Sequence, residues 1–251
     1  MAGSEPLVTP DPPAGLPPGE EQAHRFQQRI FLLLSGIFIA ALVLSNLIFQ
    51  KFFTWSPLGL YTFEISVGIL PYPITFLVTD IVSEIYGKRR ADQVVVSGFF
   101  ASIFVLGVVL VADAVPATPW SPVSEGQFHR VFGLFGPAVM ASMVAYLTAQ
   151  FIDIRIFHFW KRLTAGRHLW LRNNGSTIVS QLVDTSVVLL LLSVTGAIEW
   201  SRFWGLLENG FIFKVLVALA DTPIIYATLW YLRRRMHLRP AEEIAYARPM
   251  A

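Results

Sequence analysis

Ser176-Thr-Ile-Val-Ser-Gln181-Leu-Val-Asp184-Thr-Ser-Val-Val-Leu-Leu-Leu-Leu-Ser-Val-Thr-Gly-Ala-Ile198 carries a single charged residue in 23 positions. A helix of that length, rising 1.5 Å per residue, crosses the ~30 Å hydrocarbon core of a bilayer. An Asp at the centre of such a helix costs about 2.5–3.5 kcal/mol on insertion scales. A chain that accepts this cost handles a polar substrate or a proton at membrane depth. The same Gln-x-x-Asp spacing recurs at Gln150 and Asp153, in another apolar stretch. Residues three apart share one helix face.

Working outward, 54% of the residues are hydrophobic, and the mean hydropathy is +0.56. Six apolar segments follow one another at 30–49, 64–86, 94–115, 131–159, 176–198 and 209–232. The fold class expected is an all-α integral membrane protein with six transmembrane helices. Residues 1–25 hold six prolines in their first eighteen positions and are expected as a disordered Pro-rich tail. They lack the basic start and apolar run of a signal peptide. Residues 26–236 form the transmembrane domain, and 237–251 a C-terminal tail.

The net charge is only +2, but the basic residues flank the apolar segments. With the N-terminus inside, the inner segments hold fifteen Lys and Arg and the outer loops three, Lys51, Arg130 and Arg202. The positive-inside rule then places both termini in the cytoplasm. It also accounts for the basic character without nucleic acid. The outer loop at 116–130 contains Pro116, Pro119, Pro122 and Trp120. It reads either as a cap on an outward opening or as an interfacial loop with an aromatic anchor.

There is no cysteine, and the five His are scattered with no His-x-x-x-His pair. Neither a metal site nor a resident cofactor is expected. No Gly-x-x-x-x-Gly-Lys-[Ser/Thr] stretch is present to bind nucleotide. Without a His-Glu-x-x-His or Gly-x-Ser-x-Gly stretch, an enzyme is not expected either.

The second segment is interrupted by Pro71 and Pro73 after Gly68. A helix from 71 to 86 would be about 24 Å long, short of a straight crossing. Part of this crossing is therefore either irregular backbone beside a binding site or an entry loop with a Pro kink. Asp80 and Glu84, four apart, share its inner face. Glu84 reads first as an interfacial acid paired with Lys88, Arg89 or Arg90, and Asp80 lies deeper. Asp153 is either a site residue or the partner of Arg155 two residues on. Gln181 and Asp184 sit inside the fifth segment, whose start is marked by Ser176 or Thr177 as helix cap. Lys214 and Asp221 are two turns apart in the sixth segment, too far for a direct pair. Lys214 is expected to meet an acid on another helix, or the substrate. Asp221 precedes Thr222-Pro223 and either manages a gap in the helix ladder or ionises in its own right. Asn46 adds an amide at depth in the first segment.

Carboxylates accept paired donors, and amides offer both a donor and an acceptor. That set suits the edge of a purine-like base. An aromatic such as Phe49, Phe76, Tyr146 or Phe151 would stack on the ring.

The chain resembles the queuosine precursor transporter family, also described as vitamin uptake transporters. The resemblance is carried in order by Ser45-Asn46-Leu47, the stretch from Tyr72 through Asp80 and Glu84 to Gly87, Ala149-Gln150-Phe-Ile-Asp153, Trp170-Leu-Arg-Asn-Asn-Gly-Ser176-Thr177, Asp184-Thr185 and Phe213-Lys214-Val215. It spans about residues 30–235. It implies a multi-pass bacterial inner-membrane importer of 7-deazaguanines such as 7-cyano-7-deazaguanine and 7-aminomethyl-7-deazaguanine, salvaged for tRNA queuosine. It implies substrate contacts from Asn46, Asp80, Gln150, Asp153, Asp184 and Lys214. Gln181 joins them on local grounds, and Glu84 and Asp221 are assigned a proton or ion-pair role. Membrane lipid and the small-molecule substrate are the expected partners. The sequence is compatible with a homo-oligomer and with an ATPase partner. The competing reading is a substrate-binding subunit of a multi-component vitamin importer, which the six-helix pattern also resembles.

Overall fold

The computed structural model describes residues 18–49, 51–59, 61–133, 137–165, 167–194, 196, 198–239 and 242–244. Seven helices and one hairpin follow in chain order. They are α1 (Pro18–Ile48), β1 (Phe52–Trp55), β2 (Phe63–Ser66), α2 (Tyr72–Ile85), α3 (Lys88–Ala114), α4 (Glu125–Phe132), α5 (Pro137–Leu163), α6 (Leu169–Val194) and α7 (Trp200–Arg235). Among the described residues, five stretches are long and apolar enough to cross a membrane: Glu21–Ile48, Val67–Ile85, Lys88–Ala114, Leu169–Val194 and Trp200–Arg235. α5, 27 residues long, packs beside them against α6 and α3.

α2 is the central helix. It packs on α1, α3, α5 and α7, and nearly every residue from Thr75 to Ile85 is buried. Its 14 residues span about 21 Å at 1.5 Å each. Pro73 stands in the first turn, where the missing donor costs nothing. The interruption at Pro71 and Pro73 is therefore the helix start. β2 and a 3-10 turn at Val67–Ile69 complete the segment. Phe38 and Leu42 of α1, Val94 and Val95 of α3, and Ile225 and Leu229 of α7 close the core around α2. By contrast, Phe100 and Phe104 on α3 and Trp204 and Trp230 on α7 point outward, as lipid-facing residues do.

The β-hairpin departs from the all-α expectation. Phe52 pairs with Ser66 and Trp55 with Phe63 in antiparallel register. Phe63 and Ile65 point inward and Glu64 outward, the alternation of a half-buried strand. Trp55 and Phe63 stack at 5.8 Å, and both meet the edge of Phe213 on α7. These aromatic contacts give the hairpin the hydrophobic support that a lone two-stranded ribbon lacks.

Other boundaries also move. α1 begins at Pro18, so residues 18–25 are helical; residues 1–17 lie outside the described residues. α6 begins at Leu169, which puts Ser176 and Thr177 inside the helix instead of at its cap. The polar run there continues the helix because neighbours satisfy it. Asn174 donates to Thr222 on α7 at 2.9 Å, and Ser176 donates to the Asn173 carbonyl. α7 extends from Trp200 and keeps Pro223 inside it. Residues 242–244 return to the bundle, where the Ile244 N–H donates to the Ile85 carbonyl at 2.8 Å. Gly87, at φ +77°, makes the tight turn from α2 to α3, which glycine adopts without a Cβ penalty.

Gly68 lets the 3-10 turn lie on α1. Ser45 Oγ donates to the Gly68 carbonyl, and Ser66 Oγ donates to the Phe49 carbonyl at the end of α1. A Cβ on Gly68 would stand 2.7 Å from the Ser45 carbonyl oxygen and 2.8 Å from Phe49 Cβ. Gly68→Ala is expected to destabilise the fold by about 1–3 kcal/mol, the usual cost of overpacking. Thermal melting in detergent checks this, and an unchanged midpoint would show that α1 yields freely.

Candidate functional site

Two charged groups meet at mid-bundle, Asp184 on α6 and Lys214 on α7. Lys214 Nζ stands 2.9 Å from Asp184 Oδ2 and also donates to Thr185 Oγ1 at 3.0 Å. The Tyr72 hydroxyl donates to the same Asp184 Oδ2 at 2.5 Å, and the Lys214 ammonium lies 4.4 Å from the centre of the Tyr72 ring. Asp184 is 3% exposed. A buried charge is tolerated only when paired and hydrogen-bonded, and Oδ2 has both an ion-pair partner and a hydroxyl donor. Among the described residues, Asp184 Oδ1 has no hydrogen-bond partner.

This constellation forms one wall of a cavity of about 190 Å³. α1 contributes Ser45, Asn46 and Phe49, the hairpin Phe52, Glu64 and Ile65, α5 Tyr146, and α6 Val188 and Leu189. For scale, an apolar cavity of about 150 Å³ takes a benzene ring. Toward the hairpin end lies an open vestibule of about 630 Å³, lined by Glu199 and Arg202 among others. It shares Phe52, Glu64, Ile198 and Leu206 with the cavity, so the two adjoin.

Behind Tyr146 the polar groups are used internally. Gln150 donates to the Tyr146 hydroxyl at 2.6 Å, with longer contacts to Thr75 and Thr79 on α2. Asp153 Oδ1 accepts from Ser180 at 3.0 Å. A second, small cavity between α2, α6 and α7 is lined by Asp80, Gln181, Asp221 and the Tyr72 and Lys214 side chains.

The opposite, basic end is closed by Glu84. Its Oε1 accepts from Arg233 on α7 at 2.8 Å. Oε2 sits 3.2 Å from both Lys161 on α5 and Arg172 on α6, in ion-pair range without hydrogen-bond alignment. Lys161 also pairs with Glu243 at 2.9 Å. The Arg172 guanidinium, 1% exposed, lies over the Phe157 ring at 5.4 Å.

The residues singled out in the sequence thus divide into three groups. Asn46, Asp184 and Lys214 line the larger cavity; Asp80, Gln181 and Asp221 line the small one, with Lys214 common to both. Gln150, Asp153 and Glu84 line neither. Glu84 finds its partners on other helices, whereas Lys88 takes Asp92 one turn along. Arg155 lies over Phe151 and does not pair with Asp153, because positions two apart point to different sides of a helix. Of the aromatic candidates, Phe49 and Tyr146 reach the larger cavity and Phe76 the small one. The segment at 116–130 lines no part of the cavity; the hairpin does. Tyr72, Thr185 and Arg172 stand in the sequence stretches that carry the resemblance without a role of their own, and Glu243 lies outside them. For Tyr72 the signal was its place between two prolines at an interrupted span.

Residues 66–228 match the family described as "Putative vitamin uptake transporter". The chain belongs to that family. A Bacillus subtilis (strain 168) protein named "Probable queuosine precursor transporter" is 30% identical over 174 residues, covering 67% of this chain and 73% of the relative. A Haemophilus influenzae protein of the same name is 26% identical over 133 residues, 51% of each chain. No solved structure matches the chain. As a member of the vitamin uptake transporter family with five helices long and apolar enough to span, the protein is a multi-pass membrane transporter. The family match includes every acid discussed above except Glu64 and Glu243, and it excludes Asn46.

Removing one partner of a buried ion pair costs about 3–5 kcal/mol because the other charge is stranded. Glu84→Gln strands the buried Arg172 and takes one partner each from Lys161, which keeps Glu243, and Arg233, which keeps backbone carbonyls; it is expected to destabilise the bundle by about that much. The yield of monodisperse protein after detergent extraction reads this out, and wild-type yield and melting would refute it.

Proposed function

We propose that the protein imports queuosine precursors of the 7-deazaguanine class across a bacterial inner membrane, through six spans with both termini in the cytoplasm. The names of its relatives support the substrate class. The observation that carries the reading is Asp184: a nearly buried carboxylate, oriented by Tyr72 and Lys214, that keeps Oδ1 free in the wall of the larger cavity. The N1–H and exocyclic amine of a deazaguanine are donors in want of such an acceptor. Tyr146 and Phe49 supply ring faces, and stacking on a base contributes about 1–3 kcal/mol in nucleic-acid sites. Asn46 meets the base carbonyl.

The second acid of the cavity lining is Glu64, at the vestibule side, and it pairs with the aminomethyl cation where the substrate carries one. The bias of Lys and Arg places the Glu84 cluster in the cytoplasmic half. The vestibule then faces outward, and the conformation described is one in which substrate enters from outside.

Asp184→Asn is expected to abolish precursor uptake at an unchanged level of protein in the membrane. Loss of a hydrogen bond to a charged group costs about 1.5–3 kcal/mol, which is at least tenfold in affinity. Radiolabelled 7-cyano-7-deazaguanine uptake by the purified chain in liposomes measures this. Wild-type accumulation by the variant would remove Asp184 from the site. Failure of the wild-type chain alone would favour a subunit dependent on an ATPase partner.

A further inference from the structure

The small cavity has no part in substrate binding as described. It measures about 20 Å³, and a single water-sized occupant needs about 10–15 Å³. Its lining is rich in oxygen: Asp80, Thr177, Gln181 and Asp221. Two of these atoms, Asp80 Oδ1 and Gln181 Oε1, have no donor, although the residues are only 2% and 3% exposed. Behind Asp80, the Asp153 carboxyl is within hydrogen-bonding reach of Asp80 and of the Ser176, Thr177 and Ser180 hydroxyls. Leaving a buried acceptor without a partner costs about 1–3 kcal/mol, more if it is charged. Two such atoms, on Asp80 and Gln181, face this cavity.

Of the nearby donors, Lys214 is held by Asp184 and Thr185 and Ser180 by Asp153 Oδ1; Arg172 pairs with Glu84 through Nη2, and among the described residues no donor reaches Asp80 Oδ1 or Gln181 Oε1. Contact between two carboxyls is favourable only with a positive charge between them, since like charges at that range cannot both ionise. A flat ring does not fit a cavity of this size, whereas one small cation does.

We propose that Asp80 and Gln181, backed by Asp153, bind one small monovalent cation, a proton or a sodium ion, whose movement drives substrate import. The charges that face Asp80 from the elements packed around it are Asp153 on α5, Arg172 on α6, Glu84 one turn along α2, and Lys214 and Asp221 on α7. Lys214 joins the two sites, because its side chain lines both cavities. A cation arriving beside Asp80 repels the Lys214 ammonium toward Asp184, and one leaving relaxes it. The state of the small cavity thereby alters the charge balance at the free oxygen of Asp184. This inference rests on the transporter reading above and adds its driving ion.

The test uses the full chain in liposomes with radiolabelled 7-cyano-7-deazaguanine. Exchange against preloaded substrate without any cation gradient reads transport itself. Uptake is then measured under an inward proton gradient and, separately, under an inward sodium gradient at equal pH. One of the two is expected to raise uptake about tenfold, inside the usual range for coupled sites, and which one identifies the ion. Asp80→Asn and Gln181→Leu are expected to bring the ratio of gradient-driven uptake to exchange down to one. In detergent and without substrate, acid or sodium is expected to raise the wild-type melting midpoint by mass action, a response that Asp80→Asn lacks. Exchange that persists while neither gradient adds uptake would overturn the coupling and leave transport standing. Absent exchange would remove the reading of the chain as a 7-deazaguanine transporter acting alone, and the melting comparison alone would then decide the cation site. Identical melting responses in wild type and Asp80→Asn would overturn it.

Discussion

Glu84 holds the basic end of the bundle together. It sits on the central helix, 3% exposed, and draws one cation from each of three other helices, Lys161, Arg172 and Arg233. Arg172 and Lys161 are themselves buried, so each of these charges depends on the others for its place away from water. A single pair at the surface would contribute little. A convergent set in a low-dielectric interior is different, since removing the shared acid leaves Arg172 buried without an opposite charge and weakens the hold on Lys161 and Arg233. The C-terminal residues join the same set through Glu243 and Ile244.

Closure at one end gives the molecule its polarity. The larger cavity and its vestibule lie at the hairpin end, away from the Glu84 cluster. Between the two ends, α2 carries Thr75, Thr79, Asp80, Ser83 and Glu84 as one buried polar edge. Each level of that edge has a distinct use. Tyr72, at the helix start, orients Asp184. The threonines contact Gln150. Asp80 opens on the small cavity, and Glu84 ties the helices. A transporter needs sites that exchange charge without exposing all of it at once. A stack of polar levels on one helix, each meeting a different part of the bundle, provides that arrangement.

Much of the fold was legible because lipid imposes a strong rule: apolar stretches of about twenty residues become helices when no water is present to satisfy the backbone. α3 and α6 follow from that rule within several residues, and α1 and α7 contain their expected spans but begin earlier, at Pro18 and Trp200. The hairpin was missed because 51–66 reads as a loop between two spans, and its stability comes from Phe213, 150 residues away. The start of α6 was misplaced because Asn173, Asn174 and Ser176 carry the signature of a helix cap. They stay helical since α7 and the preceding turn supply their partners. Partner choice was equally out of reach. Lys88 lies near Glu84 in sequence, yet the acid turns to Lys161, Arg172 and Arg233.

What the sequence determined by itself was the solvent and the inventory. Apolar length required a membrane, and acids inside that length required polar partners at depth. Tertiary structure decided which acid does what. Gln150 to Asp153 and Gln181 to Asp184 look alike as spacings, but helix packing turns Asp184 toward a cavity with one oxygen free and Asp153 toward Ser180 and Asp80. The physical reason is that spacing sets only the face of a helix on which a side chain lies. What that face meets depends on helices brought together from distant parts of the chain.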